Sequence, residues 1–282
     1  MSSPLTPDAL ARALRDEGVR MREHGNWKTY NRNHKGSWGP VHGVMLHHTA
    51  GRKSLSLCRT GTPDLPGPLC IGLISKDGTV HLVGYGRTNH AGSGSTAVLD
   101  AVRTSRALPS RPGPDAVDGN ARFYGFEIEN LGDGHDPYPA AQLDAVERLS
   151  AAICRSHGWP GARVIGHKEW TRRKIDPSFS MPTMRTRIGA RIGTTSPRPR
   201  YAPFPGTEFF TSSRRSALIT ALGRRLVAEG CGRYAVGPGP EWGEADRTSY
   251  AAWQRKLGYV GAAADGIPGR ISWDKLRVPQ AD

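Results

Sequence analysis

Gly43-Val44-Met45-Leu46-His47-His48-Thr49-Ala50-Gly51 is the stretch on which the fold turns. An uncharged, mostly apolar run leads without a turn residue into two histidines, so it reads as a short buried strand that ends in polar residues. Val164-Ile165-Gly166-His167 repeats that pattern late in the chain, and Phe123-Tyr124-Gly125-Phe126-Glu127-Ile128-Glu129 reads as a third strand, ending in acids. Strand ends, and the loops that leave them, are where sheet proteins place active sites.

Working outward, residues 6–17 predict a helix, with Thr6 as N-cap, Pro7 at its first position and Gly18 as its stop. Leu10, Ala13 and Leu14 would form its apolar face. Residues 140–157 predict a second helix, from Leu143, Val146, Leu149 and Ile153 at helical spacing and Gly158 as terminator. Residues 70–75 and 79–83 predict a hairpin around Lys76-Asp77-Gly78. The stretch up to Pro68 and residues 103–121 read as long loops. Beyond Ile188 the composition shifts, and Gly193 to Pro205 is Pro-rich with no apolar period. Helices are then expected around Leu218, Leu222 and Leu226, around Tyr250, Trp253 and Leu257, and from Ile271 to Leu276. The expected organisation is residues 1–190, a linker 191–205, and a small helical unit 206–282.

The chain has 282 residues, 37% hydrophobic and 23% charged, enough for a sizeable core. No apolar run reaches the ~20 residues of a membrane span, and Met1-Ser2-Ser3-Pro4 lacks the basic and apolar regions of a secretory leader. Lys plus Arg is 39 against 25 Asp plus Glu, a formal +14 that favours an anionic partner such as nucleic acid, an acidic membrane surface or a cell-wall polymer. The arginines are dispersed, with no helix-turn-helix, RNP or zinc-finger spacing, so nucleic acid is not expected as a partner. Cys58, Cys70, Cys154 and Cys231 form no C-x-x-C pair and read as reduced thiols, a Cys58–Cys70 bridge being the alternative.

His47, His167 and Asp176, the last nine residues after His167, form the chemical constellation. Singly, each histidine reads as a hydrogen-bonded structural residue. Together, two imidazoles and a carboxylate are a catalytic zinc set that leaves a fourth position open for water, whose pKa falls to ~7.

Gly43–Gly51, Asp77-Gly78-Thr79-Val80, His90-Ala91-Gly92, Gly125-Phe126-Glu127-Ile128-Glu129-Asn130 and Gly166-His167-Lys168-Glu169-Trp170, running on to Arg173-Lys174-Ile175-Asp176-Pro177, occur in that order. In this they resemble the zinc-dependent N-acetylmuramoyl-L-alanine amidases, the type-2 amidase and peptidoglycan-recognition family, over about residues 25 to 180. The resemblance implies an α/β fold with a central mixed β-sheet flanked by helices. It implies Zn2+ held by His47, His167 and Asp176, with His47 rather than His48 as the first ligand. It implies Glu127 as general base and proton shuttle, Lys174 as oxyanion stabiliser, and His90 and Thr49 as contacts of the substrate groove. Glu127 is chosen over Glu129 on the resemblance. The two acids are expected to point opposite ways, which argues against a glycosidase pair. Asn89 stands where many relatives carry an aromatic residue before His-Ala-Gly.

Tyr250-Ala251-Ala252-Trp253-Gln254-Arg255-Lys256-Leu257-Gly258, followed by Asp265-Gly266-Ile267-Pro268-Gly269 and Ser272-Trp273, resembles small peptidoglycan-binding domains of three helices. At least one of Trp253 and Trp273 is expected in its core. The combined expectation is a monomeric phage endolysin, made in the host cytoplasm and acting on the cell wall. Its partners would be peptidoglycan and anionic wall polymers, with no membrane insertion. A non-catalytic peptidoglycan-recognition protein on the same fold is the alternative, although such relatives typically lose a zinc ligand and this chain keeps all three. A nucleic-acid binder, motivated by charge alone, ranks behind both.

Overall fold

The computed structural model describes residues 2–194, 201–211 and 214–280. The chain divides into two units, Met1–Arg198 and Pro199–Asp282. The strands are β1 (Met21–Glu23), β2 (Gly43–His48), β3 (Gly72–Ile74), β4 (Val80–Leu82), β5 (Ser93–Ser95), β6 (Asp115–Asp118), β7 (Phe123–Ile128) and β8 (Val164–Gly166). The helices are α1 (Pro7–Asp16), α2 (Leu55–Thr60), α3 (Thr96–Thr104), α4 (Ala140–His157), α5 (His167–Trp170), α6 (Met181–Gly193), α7 (Ala217–Ala228), α8 (Glu244–Lys256) and α9 (Arg270–Leu276).

Six strands form one mixed sheet in the order β1-β4-β3-β7-β2-β8. Its neighbours run parallel except for the β3–β4 hairpin. β2 lies inside the sheet and is buried on both faces, which explains why it reads as a continuous apolar run. On one face Val44, Leu46, Tyr124, Phe126 and Ile128 pack with Leu10 and Leu14 of α1, Val146, Leu149 and Ile153 of α4, and Met184 and Ile188 of α6. On the other, Met45, Phe123 and Ile165 pack with Val98 and Val102 of α3 and with Trp170. No helix among the described residues is long and apolar enough to cross a membrane.

Local chemistry sets the boundaries. Thr6 accepts a hydrogen bond from the Ala9 amide and Pro7 opens α1, as expected. Ala11, rather than Ala13, completes the fully buried stripe of Leu10 and Leu14, and Ala13 packs at its margin. α4 spans the expected residues and ends at Gly158 in the left-handed region, φ 66°. The two expected loops hold regular structure. α2 lies in the first. Within residues 103–121, β6 pairs with β5 and precedes a short 3-10 turn. α2 has six residues and no side-chain cap, and β6 is four residues long and largely exposed, so neither carries a strong periodic signal. The Cys58 and Cys70 thiols are free and share a buried cluster with Leu73 and Val83.

Residues 195–200 of the expected linker lie outside the described residues. Its start, 191–193, continues α6, where Arg191 pairs with Asp144 and Glu147 of α4. Its end joins the second unit, where the Ala202 amide bonds the Val278 carbonyl at 2.8 Å.

In the second unit α7, α8 and α9 surround a core of Phe210, Leu222, Leu226, Trp242, Tyr250, Trp253, Trp273 and Leu276. Both Trp253 and Trp273 are core residues whose indole N–H groups donate to the carbonyls of Ser272 and Ala202. Gln254 organises the following turn. Its Nε2 donates to Asp265 Oδ1 and the Ile267 carbonyl, and its Oε1 accepts from the Gly266 amide.

The β3–β4 turn shows how tightly the sheet meets α4. Gly78 has φ 79°, and a Cβ there would lie 2.4 Å from the Ala141 carbonyl oxygen. Gly78→Ala is expected to destabilise the fold by roughly 2–3 kcal/mol, read as a lower denaturation midpoint with unchanged slope. In the same turn Asp77 accepts from Ser75 Oγ and from the Thr79 amide and hydroxyl, which lowers its carboxyl to about 2. A carboxyl lowered on folding stabilises above its unfolded pKa of about 3.9, and that contribution is lost as pH falls through about 2. Asp77→Asn is therefore expected to lower the melting temperature at neutral pH, with the difference from the parent shrinking between pH 4 and pH 2.

Candidate active site

Three segments bring His47, His167 and Asp176 together. His47 is the penultimate residue of β2, and His167 opens α5 immediately after β8. Asp176 follows α5 in a loop folded back on it, the Lys168 amide donating to the Asp176 carbonyl at 2.7 Å. Gly166 allows that return, because a Cβ there would lie 2.9 Å from Pro177 Cδ. Glu169 fixes the short helix, accepting from the Gly166 amide and from both terminal nitrogens of Arg185 on α6 at 2.8 and 2.9 Å.

All three residues are buried. His47 Nδ1 lies 2.9 Å from His167 Nδ1 and 3.4 Å from Asp176 Oδ2, and His167 Nδ1 lies 3.3 Å from Asp176 Oδ2. These are the edges of a small triangle of donor atoms suited to a cation. A tetrahedral site with bonds of about 2.0 Å has edges of about 3.3 Å, so the donors fit zinc without rearrangement. The outward nitrogens are also engaged. His167 Nε2 lies 3.1 Å from the Ala91 carbonyl, and His47 Nε2 lies 2.9 Å from His90 Nδ1.

Electrostatics follow from burial and proximity. Burial and the neighbouring His167 lower His47 to about 4, against the pull of Asp176. Burial alone would raise Asp176, but its bonds to His167 and His47 outweigh that and hold it well below the usual carboxylate range.

Glu127 stands directly opposite His47 across the β2–β7 pairing, so the two side chains share a face. Its Oε2 is buried without a hydrogen-bond partner. Burial, then the charge of Asp176, raises the carboxyl to about 8, and Lys174 opposes the rise. Lys174 is exposed on the loop before Asp176.

The expectation that strand alternation parts Glu127 from Glu129 is corrected here. Residues two apart on a strand share a face. β7 ends at Ile128, and Glu129 accepts from the Lys53 amide at 2.8 Å. His48 faces away from the metal-ligand trio and lies 3.1 Å from the Tyr138 hydroxyl.

His90 and Thr49, the residues expected at the substrate groove, both make internal contacts. His90 is buried against His47, over Gly125, where a Cβ would lie 2.3 Å from its ring. Thr49 bridges the exits of β2 and β7: its hydroxyl donates to the Gly51 carbonyl and accepts from the Asn130 amide. Asn120 was not foreseen, yet its side-chain oxygen accepts from the amides of His90, Ala91 and Gly92. Nothing local in Asp118-Gly119-Asn120 signals this, because the contact spans 30 residues.

The mixed sheet gathers at its strand ends a His-His-Asp trio that could hold a cation and the Glu127 carboxyl, the equipment of a hydrolase. Residues 37–179, half of the chain, match the family model described as N-acetylmuramoyl-L-alanine amidase, and the chain belongs to that family of peptidoglycan amidases. Among solved structures it is similar to the endolysin amidase LysCS from Clostridium intestinale URNW, with 17% identity, a TM-score of 0.38, and coverage of 60% of this chain and 95% of that one. It is also similar to AmiD from E. coli in complex with its substrate (16%, TM-score 0.38, coverage 87% and 90%). A third is the Ph2119 endolysin from Thermus scotoductus MAT2119 bacteriophage Ph2119 (19%, TM-score 0.37, coverage 60% and 99%). No curated protein matches the chain.

The loop that carries Lys174 and Asp176 is tied to β6. Asp115 Oδ2 accepts from the Thr171 hydroxyl at 3.0 Å and from Arg173 Nε at 2.7 Å. Asp115→Ala is expected to speed hydrogen exchange of the amides in residues 171–175, while those of β2 and β7 exchange at the parent rate.

Proposed function

We propose that this chain is a zinc-dependent amidase that hydrolyses the bond between N-acetylmuramic acid and L-alanine, working as an endolysin. The observation that carries the reading is the triangle of His47 Nδ1, His167 Nδ1 and Asp176 Oδ2, with Glu127, whose Oε2 is unpartnered, opposite His47 on the neighbouring strand. Zinc bound to the three donors would polarise the scissile carbonyl and supply a water acidic enough to be deprotonated near neutral pH.

The remaining chemistry belongs to the chain. Glu127 takes the proton of the attacking water and later passes it to the nitrogen of the departing L-alanine, so the two half-steps balance on one carboxylate. Its raised pKa suits both halves, since a base near the operating pH gives and takes a proton readily. Lys174, whose charge already reaches Glu127, offsets the negative charge that develops on the carbonyl oxygen. The buried carboxylate of Asp176 balances positive charge among the donors.

The second unit is assigned to wall binding on the resemblance of its motif. Tethering raises the local concentration of a hydrolase on an insoluble polymer. The formal +14 favours walls that carry anionic polymers.

The test is full-length protein incubated with Gram-positive peptidoglycan, with new amino termini and new reducing ends counted separately. N-terminal alanine should appear without reducing ends, vanish with a chelator and return with zinc. Glu127→Gln should lower the rate by ~10²–10⁴-fold while the protein keeps its zinc. Reducing ends would mean glycosidase chemistry, and wall binding without product would leave a recognition protein.

A further inference from the structure

We propose that the dipeptide His90-Ala91, held by Asn120, is a positioning clamp that fixes the ring orientation and tautomer of both histidine ligands. The proposal rests on the metal reading above and reassigns His90 from the substrate groove to the support of the site.

Two consecutive residues meet the outward nitrogens of both rings. His167 Nε2 lies 3.1 Å from the Ala91 carbonyl, which can only accept. The proton of His167 therefore sits on Nε2, and Nδ1 presents a lone pair toward Asp176 and His47. His47 Nε2 lies 2.9 Å from His90 Nδ1. A neutral His90 carries one proton, its Nδ1 is the nitrogen that meets His47, and its Nε2 is buried with no partner of its own. With that proton on Nε2, His90 Nδ1 accepts from His47 Nε2–H, and His47 Nδ1 is bare. The opposite assignment would place the His47 proton on Nδ1, inside the donor triangle, where it would block coordination.

The clamp is built as a rigid piece. Asn120 Oδ1 accepts from the amides of His90 at 2.9 Å, Ala91 at 2.7 Å and Gly92 at 3.4 Å. Asn120 is itself held, its amide donating to Asp118 Oδ1 at 3.0 Å, and the Gly119 amide bonds the Gly92 carbonyl at 2.8 Å. Gly125 gives the His90 ring its seat, and Gly119 gives Ala91 room, since a Cβ there would lie 2.7 Å from Ala91 Cβ. His90 and Asn120 are both buried. An exposed substrate contact would have no use for this much internal fixing.

The experiment measures zinc affinity, by competition with a chromophoric chelator, on full-length parent, His90→Phe, Asn120→Ala and Asn120→Asp, with His47→Ala as the ligand-loss control. Circular dichroism reports folding, and KM on a soluble muramyl peptide is taken in parallel. His90→Phe keeps the ring without an acceptor and is expected to weaken zinc binding by ~10–100-fold. Asn120→Ala should do the same, and Asn120→Asp, which retains an oxygen acceptor, should restore parental affinity. A folded His90→Phe with parental zinc affinity and a raised KM would overturn the clamp and return His90 to the groove. Should His90→Phe not fold, equal zinc affinities for Asn120→Ala and Asn120→Asp would overturn it as well. A parent protein that binds no zinc would sink the metal reading itself, which separates that failure from failure of the clamp alone.

Discussion

The parallel register of β2 between β7 and β8 is the constraint on which the rest depends. It sets His47 opposite Glu127 and Leu46 opposite Gly166, so His167 leaves its strand at the height where the other two residues arrive. A slip of one residue would turn His47 to the side of α1 and α4 and carry Leu46 into the site. Both faces of β2 are buried, one by α1, α4 and α6 and the other by α3 and Trp170, so hydrophobic packing opposes that slip. Stability and chemistry therefore draw on the same pairing.

Burial makes the site's charges strongly interdependent. A carboxylate taken out of water is costly unless hydrogen bonds or opposite charge compensate it. Asp176 finds that compensation in two imidazoles, and Glu127 finds little, which is why the two carboxyls shift in opposite directions. In the proposed enzyme, positive charge from Lys174 and the bound cation would draw the Glu127 proton off, coupling the state of the base to the loading of the site.

Much of this was legible in the sequence because it is written locally. A buried run of one strand, a helix between Pro139 and Gly158, and an Asp-Gly turn are each encoded within a few neighbouring residues. The donor trio was legible as residue types at strand ends, and the family resemblance singled out His47 from His48. What escaped lies in long-range contacts and short elements. α2 and β6 are too short to show a period, and Asn120 acts across 30 residues on main-chain amides. The sequence context of His90, which the resemblance sets at the groove, says nothing about depth. Its burial comes from Gly125, on a strand far along the chain. Glu127 and Glu129 stand two apart, and it is the end of β7 at Ile128, not strand alternation, that parts them.

The second unit carries one more consequence. Gln254, Asp265 and Gly266, the residues of its recognisable motif, are bonded to one another inside the turn, and Trp253 and Trp273 are closed in the core. The signature therefore describes scaffolding. In the proposed wall binder, contact with the polymer would fall to side chains outside that motif, among them Val236, Val260 and Ile271, which stand well exposed. Substitutions at such positions would then change what the proposed binder adheres to, while the residues bonded to one another inside the turn stayed untouched.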